Sequence, residues 1–222
     1  MPDFPSSYSA SGIWSLTDIK EAIHGSNWIK YSQVKGALIG KFFNGTWQSV
    51  MTAGNVGTLP LNLINESTNV TGSTGMPSSA HRYGVNAWSS IAYTTIGDYY
   101  GFIAIGYFTP PSSGVYTFYT SSDDGSGVWI GGMASATSGR TIYNAVVNNA
   151  LGSGQGDTKR SGTIYLTAGI MYPIRIVHDE GGGGDNLTFS WSGPGIAETT
   201  SLATYFSYFT LIKDSSIYGD YL

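Results

Sequence analysis

Apolar and polar positions alternate most clearly over Gly101–Phe108 and Val115–Thr120, where Val115, Thr117 and Tyr119 face opposite to Tyr116, Phe118 and Thr120. A period of two predicts strands. Pro110-Pro111-Ser112-Ser113-Gly114 lies between these runs, cannot continue a ladder and predicts a turn. Upstream, Ala37–Phe43 reads as a buried strand ended by the turn dipeptide Asn44-Gly45. Downstream, Val128-Trp129-Ile130 is a further apolar run, and Leu187, Phe189 and Trp191 share one strand face. Thr163–Leu166 and Met171–Val177 predict a hairpin about Thr167-Ala168-Gly169. The period changes at Ser15-Leu16-Thr17-Asp18, a capping box followed by Ile19, Ala22 and Ile23 at helical spacing and by Gly25 as a stop. One helix of roughly two turns is expected there. Asn55–Ala80 reads as loop with one strand about Leu59–Ile64.

Short strands, close turns and no regular alternation with helices exclude a parallel α/β sheet. They predict an all-β fold, a two-sheet antiparallel β-sandwich with a short N-terminal helix. Residues 1–35 are expected to form an appendage carrying that helix and residues 36–200 the sandwich. Residues 201–222, with Tyr205, Phe206, Tyr208 and Phe209 close together, predict a last strand on the core or, alternatively, a docking tail.

Composition narrows the function. The 222 residues suit one β domain, and charged residues make up only 11% of them. The formal charge is −4 and the ten Lys and Arg are scattered from Lys20 to Lys213, so no basic stripe exists to follow a phosphate backbone, and nucleic acid is excluded as a partner. With no cysteine there is neither a disulfide framework nor a thiolate metal site. No run approaches the ~18 apolar residues of a spanning helix, so no membrane insertion is expected. Met1–Ala10 does not read as a secretion signal. The Asn-x-Ser/Thr triplets at Asn44, Asn65, Asn69 and Asn186 are therefore ascribed to chance.

Chemistry concentrates in Ser121-Ser122-Asp123-Asp124-Gly125-Ser126-Gly127. Two adjacent carboxylates at a strand end repel one another unless something positive lies between them. Calcium fits, because it gathers six to eight oxygens from carboxylates, amides and carbonyls. An ordinary Asp-Gly turn is the alternative. A second acidic loop, His178-Asp179-Glu180-Gly181-Gly182-Gly183-Gly184-Asp185-Asn186, could complete the shell if both loops lie at one end of the sandwich.

Three segments together resemble the protective-antigen-type lectin domain, the superfamily that includes GLEYA and flocculin-type adhesins. They are Gly36–Asn44, then Gly114–Phe118 leading into Asp123-Asp124-Gly125 and Val128–Gly131, then Gly169 with Tyr172–Ile176. The resemblance spans roughly residues 36–192. It implies a cis peptide between Asp123 and Asp124, calcium held by both side chains, and sugar hydroxyls completing the ion's shell. It further implies metal ligands among Asp179, Asp185 and Asn186, with Asp123, Asp124, Asp185 and Asn186 meeting the carbohydrate. Trp88, Tyr99 and Tyr100 are candidates for a ring against the sugar's apolar face, although a core role suits each. Trp129 and Trp191 read as core.

Enzyme readings fit poorly. His24, His81 and His178 have no paired metal spacing and no Gly-x-Ser-x-Gly elbow exists. Glycoside cleavage needs carboxyls about 5–9 Å apart across a substrate, unlike consecutive residues of one loop. Gly152-Ser153-Gly154-Gln155-Gly156 lacks the strand and helix of a phosphate loop and reads as a flexible linker. Ser11–Leu16 with Asn27-Trp28 is similar to openings of marine tailed-phage virion proteins. The expectation is a calcium-dependent lectin-like adhesin on a virion surface, or extracellular after lysis, whose partners are a cell-surface glycan and other virion subunits or a homo-oligomer. The alternative is a structural virion decoration or fibre subunit with the same fold and no sugar site.

Overall fold

The computed structural model describes residues 31–44, 86–136 and 141–211. The predicted helix after Ser15 and the strand about Leu59–Ile64 lie outside them. Residues 34–208 form one compact unit; residues 1–33 with 209–222 form another, of which only 31–33 and 209–211 are described.

Thirteen strands build two mostly antiparallel sheets among the described residues. They are β1 (Tyr31–Lys35), β2 (Leu38–Asn44), β3 (Asn86–Trp88), β4 (Ala92–Thr94), β5 (Tyr100–Phe108), β6 (Gly114–Asp123), β7 (Ser126–Ile130), β8 (Val147–Asn149), β9 (Thr158–Leu166), β10 (Tyr172–Glu180), β11 (Asn186–Gly193), β12 (Ile196–Thr199) and β13 (Phe206–Leu211). The eight-stranded sheet runs β1-β13-β5-β10-β7-β8, with β2 on β5 and β3 on β2. The five-stranded sheet runs β12-β11-β6-β9, with β4 also on β11. The fold is the sandwich that the alternation predicts. A four-residue helix, α1 (Gly132–Ser135), follows β7, at a place where the sequence pattern predicts none.

β2 and β13 share one edge of β5, β2 pairing with residues 100–105 and β13 with 107–108. Gly106 sits between them, where an added Cβ would lie 2.5 Å from the Ser207 carbonyl and 2.6 Å from Leu38 Cδ2. Glycine is therefore required where the two strands meet.

The expected hairpin about Thr167–Gly169 is not formed. β9 pairs with β6 in one sheet, whereas β10 pairs with β5 and β7 in the other, so residues 167–171 cross between the layers. The turn residues specify a reversal, but not which partner each strand takes. β10 is central, and its residues 174–180 are all buried. That burial has two sources. One face enters the inter-sheet core of Phe42, Phe102, Phe108, Tyr116, Phe118, Phe189, Trp191 and Phe206. The other carries Val177 into a smaller cluster with Ile103, Trp129, Ala134 and Leu151. Both tryptophans read as core are buried, Trp129 at 0% and Trp191 at 2% exposure. Rings of the main core pack mostly edge to face, as Phe108 does on Phe118 at 5.5 Å and 89°.

Candidate functional site

Four strand ends converge at one end of the sandwich. β6 finishes at Asp123, β7 starts at Ser126, β10 finishes at Glu180 and β11 starts at Asn186. Asn186 pairs directly with Asp123, and His178 with Ser126. Directly opposed residues point to the same sheet face, so Asn186 accompanies Asp123. The Asp123–Asp124 peptide is cis, as the resemblance implies.

Oxygens of Asp123, Asp124 and Glu180 lie within 4.8 Å of one another. Asp124 is nearly buried, its Oδ1 accepting the Gln155 N–H at 2.8 Å and its Oδ2 the Gly181 N–H at 2.9 Å. Glu180 is wholly buried; its Oε2 accepts the Asp124 N–H at 3.0 Å, while Oε1 has no hydrogen-bond partner among the described residues. Burial and the neighbouring Asp124 charge push the Glu180 carboxyl up to about 8. Asp123 is raised above the usual carboxylate range by burial and then by Asp124, Asp157 and Asp185. The charges acting on this pair are thus negative, as expected of a site built for a cation.

The acids of the second loop separate by strand parity. Asp179 points away from the cluster: its Oδ1 accepts the Gly152 N–H at 3.3 Å, and burial pushes it up to about 8. Expected as a metal ligand, Asp179 is not brought into the three-carboxylate set, because β10 extends through residue 180 and successive strand side chains face opposite ways. Asp185 is likewise outside that set. Its Oδ2 accepts N–H bonds from Ile96 and Gly97 and the Tyr100 hydroxyl, which fastens the loop after β4. Burial and nearby acids hold the Tyr100 hydroxyl far above its ordinary range, so it remains a donor.

His178 ties the two sheets behind the cluster. Its Nε2 lies 3.0 Å from the Asp123 carbonyl, which can only accept, and its Nδ1 lies 2.8 Å from the Tyr93 hydroxyl. Burial lowers His178 to about 4, so the ring is neutral, donating from Nε2 and accepting at Nδ1. A buried network stands beneath. Ser126 donates to Thr120 Oγ1 at 2.8 Å, and Asn149 Nδ2 donates to the Thr120 and Thr158 carbonyls at 3.2 and 2.7 Å.

The Gly152–Gly156 stretch is no free linker. Gln155 Nε2 reaches Asn149 Oδ1 at 3.0 Å and the carbonyls of Ser122 and Asp124 at 3.3 Å each, closing the loop over Asp124. Glycine density conceals this from the sequence, because only the fold supplies the acceptors. Glu180 was legible in principle: had the strand been carried past Val177, its parity with His178 would have separated it from Asp179.

Of the candidate rings, Tyr100 is buried and Trp88 packs on the core, whereas Tyr99 is 48% exposed. Tyr99 borders the four-glycine loop. A Cβ on Gly182 would lie 3.7 Å from its ring, and Asp98 Oδ1 accepts the Gly183 N–H at 3.0 Å. A Cβ on Gly184 would lie 2.7 Å from Asp123 Oδ2, so the loop backbone passes close against that carboxylate.

An all-oxygen donor set of carboxylates with an amide beside them suits a hard cation such as calcium, and the orphaned Glu180 oxygen is what such an ion would satisfy. Comparison with known proteins bears on the same region. Residues 68–205 match the PA14 domain family. No curated protein matches the chain. The A domain of epithelial adhesin 9 from Candida glabrata, solved in complex with Galb1-4GlcNAc, superposes with a TM-score of 0.53 at 13% identity, over 82% of this chain and 93% of that one. An anti-sigma factor domain-containing protein superposes at 0.50 with 20% identity, over 76% of this chain and 47% of that one. Another from Clostridium clariflavum does so at 0.50 with 18% identity, over 78% and 48%. The chain thus spans about half the length of these two larger proteins. At such identities the likeness is one of fold.

Proposed function

The chain belongs to the PA14 domain family, and from that premise we propose that it is a calcium-dependent carbohydrate-binding module of adhesin type. One observation carries the reading: Asp123 and Asp124 converge with a third carboxylate at the sandwich end, with Asn186 opposite Asp123 and a glycine loop beside them. Asp123, Asp124 and Asn186 would hold the ion, and Asp185 would shape the loop bordering it. Bound calcium would supply coordination positions for paired sugar hydroxyls, an exchange of water for ligand oxygen that a hard ion tolerates. Tyr99, exposed beside the same loop, would cover the apolar face of the ring.

The partner in this reading is a cell-surface glycan. Galb1-4GlcNAc, carried by the epithelial adhesin 9 structure, is a suitable first probe. Display on a virion surface is a further part of the reading and rests on the resemblance of Ser11–Leu16 with Asn27-Trp28. Single-site sugar binding near the millimolar range, ~4 kcal/mol, would make display in several copies useful.

A glycan array probed with calcium, with chelator and with Asp124→Asn tests the proposal. Binding is expected with calcium alone, and is expected to disappear in the variant while its unfolding transition remains cooperative. Binding by Asp124→Asn at the wild-type level would refute it.

A further inference from the structure

Glu180 is the one member of the carboxylate cluster that neither composition nor the adjacent Asp pair points to. It is wholly buried at the last position of β10, held by the Asp124 N–H on Oε2, with Oε1 lacking a hydrogen-bond partner among the described residues. Its carboxylate stands within 4.8 Å of both aspartates. A buried carboxylate with an unsatisfied oxygen, facing two like groups, is tolerable only if it takes up a proton or shares a cation. A proton would neutralise Glu180 alone, whereas a cation between the three groups offsets their charges together and engages the orphaned Oε1. A cation needs only the lone pairs. The aspartates leave room for it: each Asp124 oxygen accepts one backbone N–H and retains a second lone pair.

We propose that Glu180 is a direct third carboxylate ligand of the cation site, making it a triply acidic site that loads calcium from solution without sugar. This rests on the calcium reading above and adds to it a separate order of events, ion first and glycan second. Three carboxylates leave the loaded site with one net negative charge, so the ion is retained when sugar leaves. Glu180→Gln preserves the shape and the acceptor for the Asp124 N–H while removing the charge.

Calorimetric titration with calcium alone, without sugar, on wild type and Glu180→Gln is the test. The variant is expected to bind calcium at least about ten-fold more weakly. In chelator it should unfold at the wild-type temperature, because the amide keeps the acceptor for the Asp124 N–H. A merely structural role for Glu180 would lower that temperature and leave calcium affinity alone. Affinity of the variant within two-fold of wild type would overturn the inference while leaving the calcium lectin reading intact. Failure of the wild type to bind calcium would sink both. Calcium binding lost in the variant, with no glycan bound by either protein, would uphold the inference and sink the lectin reading. Anomalous diffraction from calcium-soaked wild-type crystals checks the ligand without any variant. The ion is expected about 2.3–2.6 Å from a Glu180 oxygen, and an ion with no Glu180 oxygen in its shell would count against the assignment.

Discussion

Asp179 and Glu180 are consecutive acids with opposite fates, separated only by which way a strand side chain points. Glu180 meets the aspartate pair; Asp179 is turned to the Gly152 amide. Asn149 shows the same dependence on place. It is fully buried and its amide nitrogen serves two carbonyls, while its oxygen accepts from Gln155. Asn149→Ala should cost about 2 kcal/mol in denaturant unfolding, since it strands buried acceptors. At the rim, Tyr99→Ala removes a half-exposed ring that belongs to neither described core cluster. Glycan affinity is expected to fall about ten-fold in titrations at saturating calcium, with calcium affinity and unfolding temperature unchanged. An unaltered glycan affinity would show that the ring does not touch the sugar.

Glycine-rich segments carry much of the site at the level of elements. The loop between β10 and β11 runs so close to Asp123 that a single methyl at Gly184 would lie 2.7 Å from its carboxylate. Gly184→Ala is therefore expected to abolish calcium and glycan binding while circular dichroism and cooperative unfolding are retained. β9 depends on a different close approach. A Cβ at Gly162 would lie 1.7 Å from the Val146 carbonyl, where the segment entering β8 passes over β9. Gly162→Ala should destabilise the protein by about 1–3 kcal/mol in the same denaturant assay, with calcium affinity retained in the folded fraction. The β6–β7 connection has its own consequence: the chain passes through Asp124-Gly125 from the sheet of β6 into that of β10, and the pairing of Ser126 with His178 sets Asp124 beside Glu180.

For the whole molecule, the inter-sheet aromatic core holds that end in register. Phe118 is fully buried and stacks on Phe189 at 6.2 Å. Phe118→Ala is expected to cost about 3–5 kcal/mol, read as a lower denaturation midpoint, and to weaken calcium binding only through unfolding. Any ligand that binds the folded state alone raises stability by mass action, about 2.7 kcal/mol at a concentration a hundred times its dissociation constant. Calcium should accordingly raise the unfolding temperature, chelator should reverse the rise, and Asp124→Asn should show neither.

The layering into strands was legible because alternation and burial share one period: Phe118 and Tyr116 enter the core as their spacing implies, as do Leu187, Phe189 and Trp191. The Asp123–Asp124 pair stood out for a local reason, two like charges side by side in a chain with few charges. Partnership was not legible. Thr167–Gly169 announces a reversal without saying that β9 and β10 part to different sheets, and Gly152–Gly156 looks idle until Asp124 and Asn149 are set against Gln155. Periodicity and composition act through neighbours in the chain and so can be read along it. The choice of sheet, the meeting of Glu180 with Asp123 and Asp124, and the burial that raises its pKa depend on residues more than fifty positions apart, and only the packed layers bring those together.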